Sequence, residues 1–440
     1  MSRNLLVCCD GTWNDAEKME EKKRSNVWRF FQMAGGVRGE TKEYFPGVGT
    51  KGLKDRLKGG IWGFGIGRAI CVAYGWLAKK YQPGDKIFLL GFSRGAFTVR
   101  SLAGLIGCRG LNSGLADLEG KSFRQGVADE YQAYRERQPV AQPCPGIHFV
   151  GAFDTVGKLG VPDSRKIANI FDNPQNWAFH DTQLGTHVAH GRHALAIDER
   201  RADFMPTLWV DSDKGKPIYG LDQDGRTVKQ LWFCGHHSDV GGGENQPVTN
   251  RALHWMLGEA MDKGLEINTA DRENLELNDS ADLSKSAWSP MPVMPRGVPL
   301  LAPVNVGNII HASVIERRNA DANYWPTRRL DAGPISTTVF SGKGQVWQSA
   351  GIWVENGQKL IAKTEGRRGG PFVTGYVANG GNPKIDGTWP DHEEFVLNEP
   401  FIVKNGSGYV FFRVLRQPIS RGKSGDRLMW RTLTVSFEQV

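Results

Sequence analysis

"YQPGDKIFLLGFSRGAFTVRSLAGLIGCRG", residues 81–110, decides the fold, because a strand, a sharp turn and a helix follow one another with a serine at the turn. Pro83, Gly84 and Asp85 make a turn, and the apolar run Ile87 to Leu90 is short and bounded, as a buried parallel strand is. Past Ser93, the residues Ala96, Val99, Leu102, Ala103 and Ile106 fall at three- and four-residue spacings and stop at Gly107 to Gly110. That pattern is a helix with a glycine end signal. With 55 glycines in 440 residues, a G-x-S-x-G match arises easily by chance. Between a strand and a helix, however, it has the form of a nucleophile elbow: Gly91 and Gly95 let the two backbones close, and Ser93 is lifted from the sheet edge.

Composition bounds the alternatives. A chain of 440 residues, 40% of them apolar, can fill one large domain and a smaller one. The most span-like stretch, "IWGFGIGRAICVAYGWLA" (61–78), carries Arg68 and several glycines, so it reads as a buried helix after a glycine-rich loop. The N-terminal "MSRNLLVCCDG" has too short an apolar run for a secretory signal, and synthesis in the cytoplasm is expected. Cys8, Cys9, Cys71, Cys108, Cys144 and Cys234 are scattered without a C-x-x-C pair, which suits buried free thiols better than disulfides or zinc. The net charge is +8, but basic residues are interleaved with acids, as in "EKMEEKKR" and "AYRERQ". No nucleic-acid partner is expected from such a pattern, whereas a membrane surface remains compatible with it.

A nucleophilic serine needs a base and an acid that orients the base. "GIHFVGAFDTVG" (146–157) is an apolar strand ending in Asp154, and "KQLWFCGHHSDVGGG" (229–243) is a strand, Leu231 to Cys234, ending in two histidines and a glycine cluster. The order Ser93, Asp154, His237 is that of an α/β-hydrolase sheet. Asp154 could instead cap its turn, with Asp198 and Asp239 as substitutes for the acid. Adjacent residues of an extended segment point to opposite sides, so only one histidine faces Ser93; His237 is preferred and His236 is the substitute. Ser238 and Asp239 are expected to brace that loop. Oxyanion donors are expected from the backbone of Arg94 and from Gly11 and Thr12, in the loop after the strand of "NLLVCCDGTWND" (4–15), with Asp10 as its anchor. An ordinary Asp-Gly turn is the alternative there.

Two patterns carry less. "GFGIG" (63–67) lacks a preceding strand and a complete G-x-G-x-x-G, so no nucleotide cofactor is expected. His187, His190 and His193 fall three apart and would stack on one helix face, yet no H-E-x-x-H or acidic companion accompanies them. They read as a polar helix face, and no metal is expected.

The blocks "CCDGTWND", "YFPGVGT" (44–50), "YQPGDKIFLLGFSRGAFTVRSLAGLI", "FDTVG", "HALAIDERRADFMPTLW" (193–209) and "HSDVGGG" (237–243) together resemble the α/β-hydrolase domain of bacterial type VI secretion lipase effectors and their uncharacterised relatives. "ANYWPTRRL" (322–330) resembles the block that closes that domain. The resemblance covers about residues 1–330 and implies a triad of Ser93, Asp154 and His237. It implies a phospholipase acting on glycerophospholipid acyl esters, export by a type VI system, and secretion-apparatus or immunity proteins as partners. The alternative is an inactive hydrolase scaffold that binds a glycan or a protein.

The tail differs in character. From Glu276 to Val306 the chain is rich in Pro and Ser, as a linker, a cap insertion or a lid would be. After residue 335, short β-prone runs alternate with Gly, Asn and Asp turns, which predicts a small β-sandwich. "VWQSAGIWVENGQKLIAKTEG" with the closing "LTVSFEQV" is similar to jelly-roll galactose-binding lectins, although "RQPISRGKSGDRLMW" offers Asp426 without a clear ligand set. The expected organisation is therefore an α/β-hydrolase domain over 1–332, with a mostly parallel sheet, followed by a β-sandwich over 333–440.

Overall fold

A computed structural model describes residues 3–35, 42–47, 65–139, 144–156, 184–210, 218–284 and 310–321, apart from a few single positions, together with the strands between 328 and 439 and parts of their connections. Two compact units result: Met1–Ala196, Pro206–Lys285 and Val306–Asp321 form the first, and the remaining residues form the second.

The first unit is built on a seven-stranded sheet in the order β2-β1-β3-β4-β5-β7-β6. The strands are β1 (Asn4–Cys9), β2 (Lys42–Phe45), β3 (Lys86–Phe92), β4 (Ile147–Phe153), β5 (Val188–Ala196), β6 (Gly220–Gln223) and β7 (Arg226–Phe233). Only β6 runs antiparallel, against β7. The runs "LLVCC", "IFLLGF" and "FVGAF" are apolar throughout because a parallel sheet is covered on both faces. Alternation sorts them: Leu5, Val7 and Leu89 join the helices Ile66–Lys80 and Arg94–Arg109 in one core, whereas Leu6, Cys8 and Leu90 meet the helices Asn26–Met33 and Gln246–Met261 in the other.

Register brings the strand ends level. Cys9 is opposite Gly91, Phe92 opposite Phe153, Phe153 opposite Ala194, and Ala196 opposite Phe233. The chain leaves β1 toward β2 on one side and proceeds from β3 toward β4 on the other. The crevice beyond the carboxyl ends of β1 and β3 is therefore the topological switch point, where open α/β sheets bind ligands.

The second unit holds two further sheets. One, in the order β13-β12-β15-β10-β8, contains His392–Phe395, Phe372–Ala378, Gly408–Leu415, Val346–Val354 and Arg328–Arg329. The other, β14-β11-β16-β9, contains Pro400–Ile402, Lys359–Glu365, Arg431–Gln439 and Ile335–Ser341. All pairings are antiparallel except that of Arg328–Arg329 with Val346–Val354. Leu360 and Ala362, two apart on one strand face, are fully buried.

Several expectations are corrected. His190 and His193 lie on β5 and His187 just before it, so they share no helix face; on a strand, residues three apart point to opposite sides. The strand read as beginning at Leu231 begins at Arg226 and ends at Phe233. All six cysteines are free, but only Cys8, Cys9, Cys71 and Cys234 are buried as expected, whereas Cys108 and Cys144 are partly exposed. Among the described residues no helix is long and apolar enough to cross a membrane. Most of the Pro-rich stretch, residues 285–309, and the loop carrying Asp426 lie outside the described residues.

Candidate active site

Ser93 is the first residue past β3 and precedes the helix Arg94–Arg109. Its backbone has φ 56° and ψ −121°, a conformation that a side chain adopts only under constraint. Three backbone bonds hold it: the Ser93 N–H donates to Phe153 O at 3.0 Å, and Ser93 O accepts from Phe97 N–H at 3.2 Å and from Val156 N–H at 3.4 Å. The flanking glycines are sterically required. A Cβ on Gly91 would lie 2.4 Å from Gly95 O, and one on Gly95 would lie 2.1 Å from Cys9 O.

Asp154 follows β4 and is fully buried, with φ 40°. Its N–H donates to Ala194 O at 2.7 Å, and its Oδ1 accepts from Ala196 N–H at 3.0 Å. Its Oδ2 is thereby left facing His237 Nδ1 at 2.6 Å. On the other side of the ring, His237 Nε2 is 2.9 Å from Ser93 Oγ. Serine, imidazole and carboxylate thus form one hydrogen-bonded chain across the ends of β3, β4 and β7, and the described geometry can pass a proton from hydroxyl to imidazole.

His237 does not continue an extended segment, as the sequence suggested. It is the first residue of a short helix, His237–Gly241, for which His236 is the N-cap. Asp239 accepts from the His236 N–H at 2.8 Å and also from Ser284 N–H at 3.1 Å, which secures the start of the helix. The glycine cluster has a steric function here. A Cβ on Gly241 would come within 1.9 Å of the Phe92 ring, which lies 4.6 Å from the His237 ring between centroids. Asp198, a substitute in the sequence reading, accepts from Tyr324 Oη at 2.7 Å.

The loop after β1 borders the same crevice and is organised by Asp10. Its Oδ2 accepts from Ser25 Oγ at 2.5 Å and Tyr44 Oη at 2.6 Å, and its Oδ1 from Gly11 N–H at 2.6 Å and Asn14 Nδ2 at 3.2 Å. Burial pushes the Asp10 carboxyl above the usual carboxylate range, although the bonds from Ser25, Tyr44, Gly11 and Asn14 oppose it. Because the Gly11 N–H is donated to Asp10, Thr12 is the stronger candidate for a donor from this loop. Arg94 opens its helix, so its N–H is one of the four that have no acceptor within the helix. Gly47 closes the loop from the far side: its N–H donates to Asn14 O at 2.8 Å, and a Cβ on it would lie 1.7 Å from Gly11 O. Sequence reading missed the parts played by Ser25 and Tyr44. Polar residues at a helix start and a strand end were the only signal.

A family model described as the type VI secretion system (T6SS) phospholipase effector Tle1-like catalytic domain matches residues 3–259. An uncharacterized protein of Saccharomyces cerevisiae is 28% identical over 276 residues, covering 54% of this chain and 36% of that protein. The chain therefore spans about a third of the length of that curated relative. A crystal structure of an uncharacterized protein from Pseudomonas aeruginosa is similar with a TM-score of 0.37 and 17% identity, over 63% of this chain and 50% of that one. The Tle1 effector bound to the VgrG spike of the type 6 secretion system gives a TM-score of 0.32 and 15% identity, over 56% and 52%.

Proposed function

We propose that this chain, which belongs to the family of T6SS phospholipase effectors with a Tle1-like catalytic domain, hydrolyses acyl esters of glycerophospholipids with Ser93 as nucleophile. The observation that carries this reading is the chain of bonds from Ser93 Oγ through His237 to Asp154, at 2.9 and 2.6 Å. His237 Nε2 takes the hydroxyl proton as Oγ adds to the ester carbonyl. Asp154 holds the Nδ1–H and stabilises the imidazolium that results. The backbone N–H groups of Arg94 and Thr12 receive the tetrahedral oxyanion. On collapse, the carbon–oxygen bond to the glycerol side breaks and His237 returns the proton to that oxygen, leaving acyl-Ser93. Water, deprotonated by His237, then releases the fatty acid and restores the hydroxyl.

In this reading residues 1–332 are the catalytic part, and the β-rich residues 333–440 form a sandwich that docks on a membrane or a protein partner. Membership of a type VI secretion effector family supports a component of the secretion apparatus as one such partner, and a neutralising immunity protein is a further partner in this reading.

A fluorophosphonate probe tests the chemistry. The folded protein should be labelled and Ser93→Ala should not, and Ser93→Ala should lose at least about 10⁴-fold in turnover on phospholipid vesicles and on a short-chain ester. Full turnover of both substrates by Ser93→Ala would overturn the proposal. Folded protein that takes no probe and hydrolyses neither substrate would make the chain a binding scaffold instead. Mass spectrometry of the released lipids identifies the acyl position cleaved.

A further inference from the structure

Asp154 presents its carboxylate from a backbone with positive φ, and something must hold it there. Two of the restraints, Asp154 N–H to Ala194 O and Ala196 N–H to Asp154 Oδ1, involve the backbone of β5 and would survive any side chain on that strand. A third comes from a side chain. Thr155, the next residue, is fully buried, and its N–H donates to His193 Nε2 at 3.1 Å, while its carbonyl accepts from Thr207 N–H at 2.9 Å. His193 is itself fully buried, on β5 opposite Ala152 of β4 and Gln230 of β7.

The neighbours of His193 fix which of its nitrogens carries the proton. Nε2 accepts from Thr155, so the ring is neutral with its proton on Nδ1, directed at Gln230 Oε1 at 3.1 Å. Gln230 cannot offer its amide nitrogen there instead. That nitrogen donates to Trp209 O at 2.9 Å and to Ile218 O, and Oε1 also accepts from Trp209 N–H at 2.8 Å. Trp209 closes the ring from the side, with centroids 5.3 Å apart. The backbone N–H groups of Thr155 and Trp209 and the side chains of His193 and Gln230 are thus paired in one orientation of the imidazole, whereas the Thr155 hydroxyl and the Trp209 indole N–H have no partner among the described residues.

We propose that His193 is a positioning residue that holds the turn at Asp154 and Thr155, and through it the orientation of the His237 ring. This rests on the reading of Ser93, His237 and Asp154 as the reacting groups. Without the acceptor on His193, the buried Thr155 N–H loses its partner, and rotation of the turn out of its strained conformation becomes the route to another. The carboxylate then leaves His237 Nδ1. Because Asp154 is fully buried and acts through His237, the loss falls on kcat and not on KM.

The test compares His193→Phe, His193→Asn and His193→Gln with the parent, measuring kcat and KM on a short-chain ester, the thermal melt, and the downfield proton NMR signal of the His237 Nδ1–H bonded to Asp154. Phe removes both bonds, Asn keeps only the reach toward Gln230, and the longer Gln places an amide oxygen near the position of Nε2. We expect Phe and Asn to lower kcat by about 10- to 100-fold with KM within about twofold, and to lose or shift the downfield signal. Gln should restore most of both. If Phe does not fold, Asn carries the same test. Wild-type kcat in folded Phe or Asn variants overturns the inference, as does a loss that Gln shares equally while the downfield signal is unchanged. Ser93→Ala, run in parallel, separates the two readings. Activity retained there defeats the site itself, whereas activity lost there and kept in His193→Phe defeats only the role of His193.

Discussion

At the scale of single residues, the loop that borders Ser93 depends on how many donors one buried carboxylate collects. Tyr44→Phe leaves Asp10 one donor short without changing the shape of the ring. Hydrogen bonds to charged groups contribute about 1.5–3 kcal/mol, so the variant should melt earlier by that amount and should turn over short-chain ester more slowly, as the Gly11–Thr12 segment loosens. Calorimetry and initial rates check both; an unchanged melt would show that the phenol is dispensable. Ser93, Asp154 and Asp10 were legible because each stands directly after an apolar strand, where a polar residue has a reason to be. Ser25, Tyr44 and His193 were not legible. Their partners lie 15, 34 and 38 positions away in the chain, and only the closed sheet makes them neighbours.

Between elements, β5 is tied to the helix Gln246–Met261 by Arg192, whose buried guanidinium donates from Nε to Glu259 Oε2 at 2.5 Å, while Lys229 of β7 donates to Oε1 at 2.7 Å. Burial raises the Glu259 carboxyl, but the charges and hydrogen bonds of Arg192 and Lys229 outweigh it and hold the carboxyl below the usual range. A depressed carboxylate stabilises the fold above its unfolded value, about 4.3, and that contribution is lost as pH falls through the lower folded value. The parent should therefore lose stability more steeply than Glu259→Gln between about pH 5 and pH 3. At neutral pH, Glu259→Gln should be destabilised by about 3 kcal/mol, because Arg192 remains buried without its counter-charge. Melting curves across pH measure both. The strands β1, β3, β4 and β7 were legible from short apolar runs between turn signals. The segment 187–193 misled because a spacing of three fits a helix, and the helix His237–Gly241 escaped because five residues carry no period.

For the whole molecule, the parallel sheet followed by antiparallel sheets was legible from the change in rhythm near residue 335, whereas the second unit also takes in Ile197–Met205, which no local pattern announces. The net charge of +8 belongs to this scale as well. Ser93→Ala, chosen because the proposed mechanism leaves it unable to cleave lipid, should sediment with vesicles containing anionic lipid and be released between about 0.05 and 0.5 M salt as screening shortens the reach of the charges. Binding indifferent to salt would point to an apolar contact. The left-handed backbone at Ser93 has its own consequence for the molecule's lifetime. In the proposed mechanism alanine and glycine at position 93 both remove the nucleophile, but alanine keeps the strain and glycine releases it. Ser93→Gly should outlast Ser93→Ala on heating by about 1 kcal/mol at the midpoint. If Ser93 is the nucleophile we propose, turnover and heat resistance pull against each other at one peptide unit, and a lineage excused from hydrolysis would find its first stabilising substitution there.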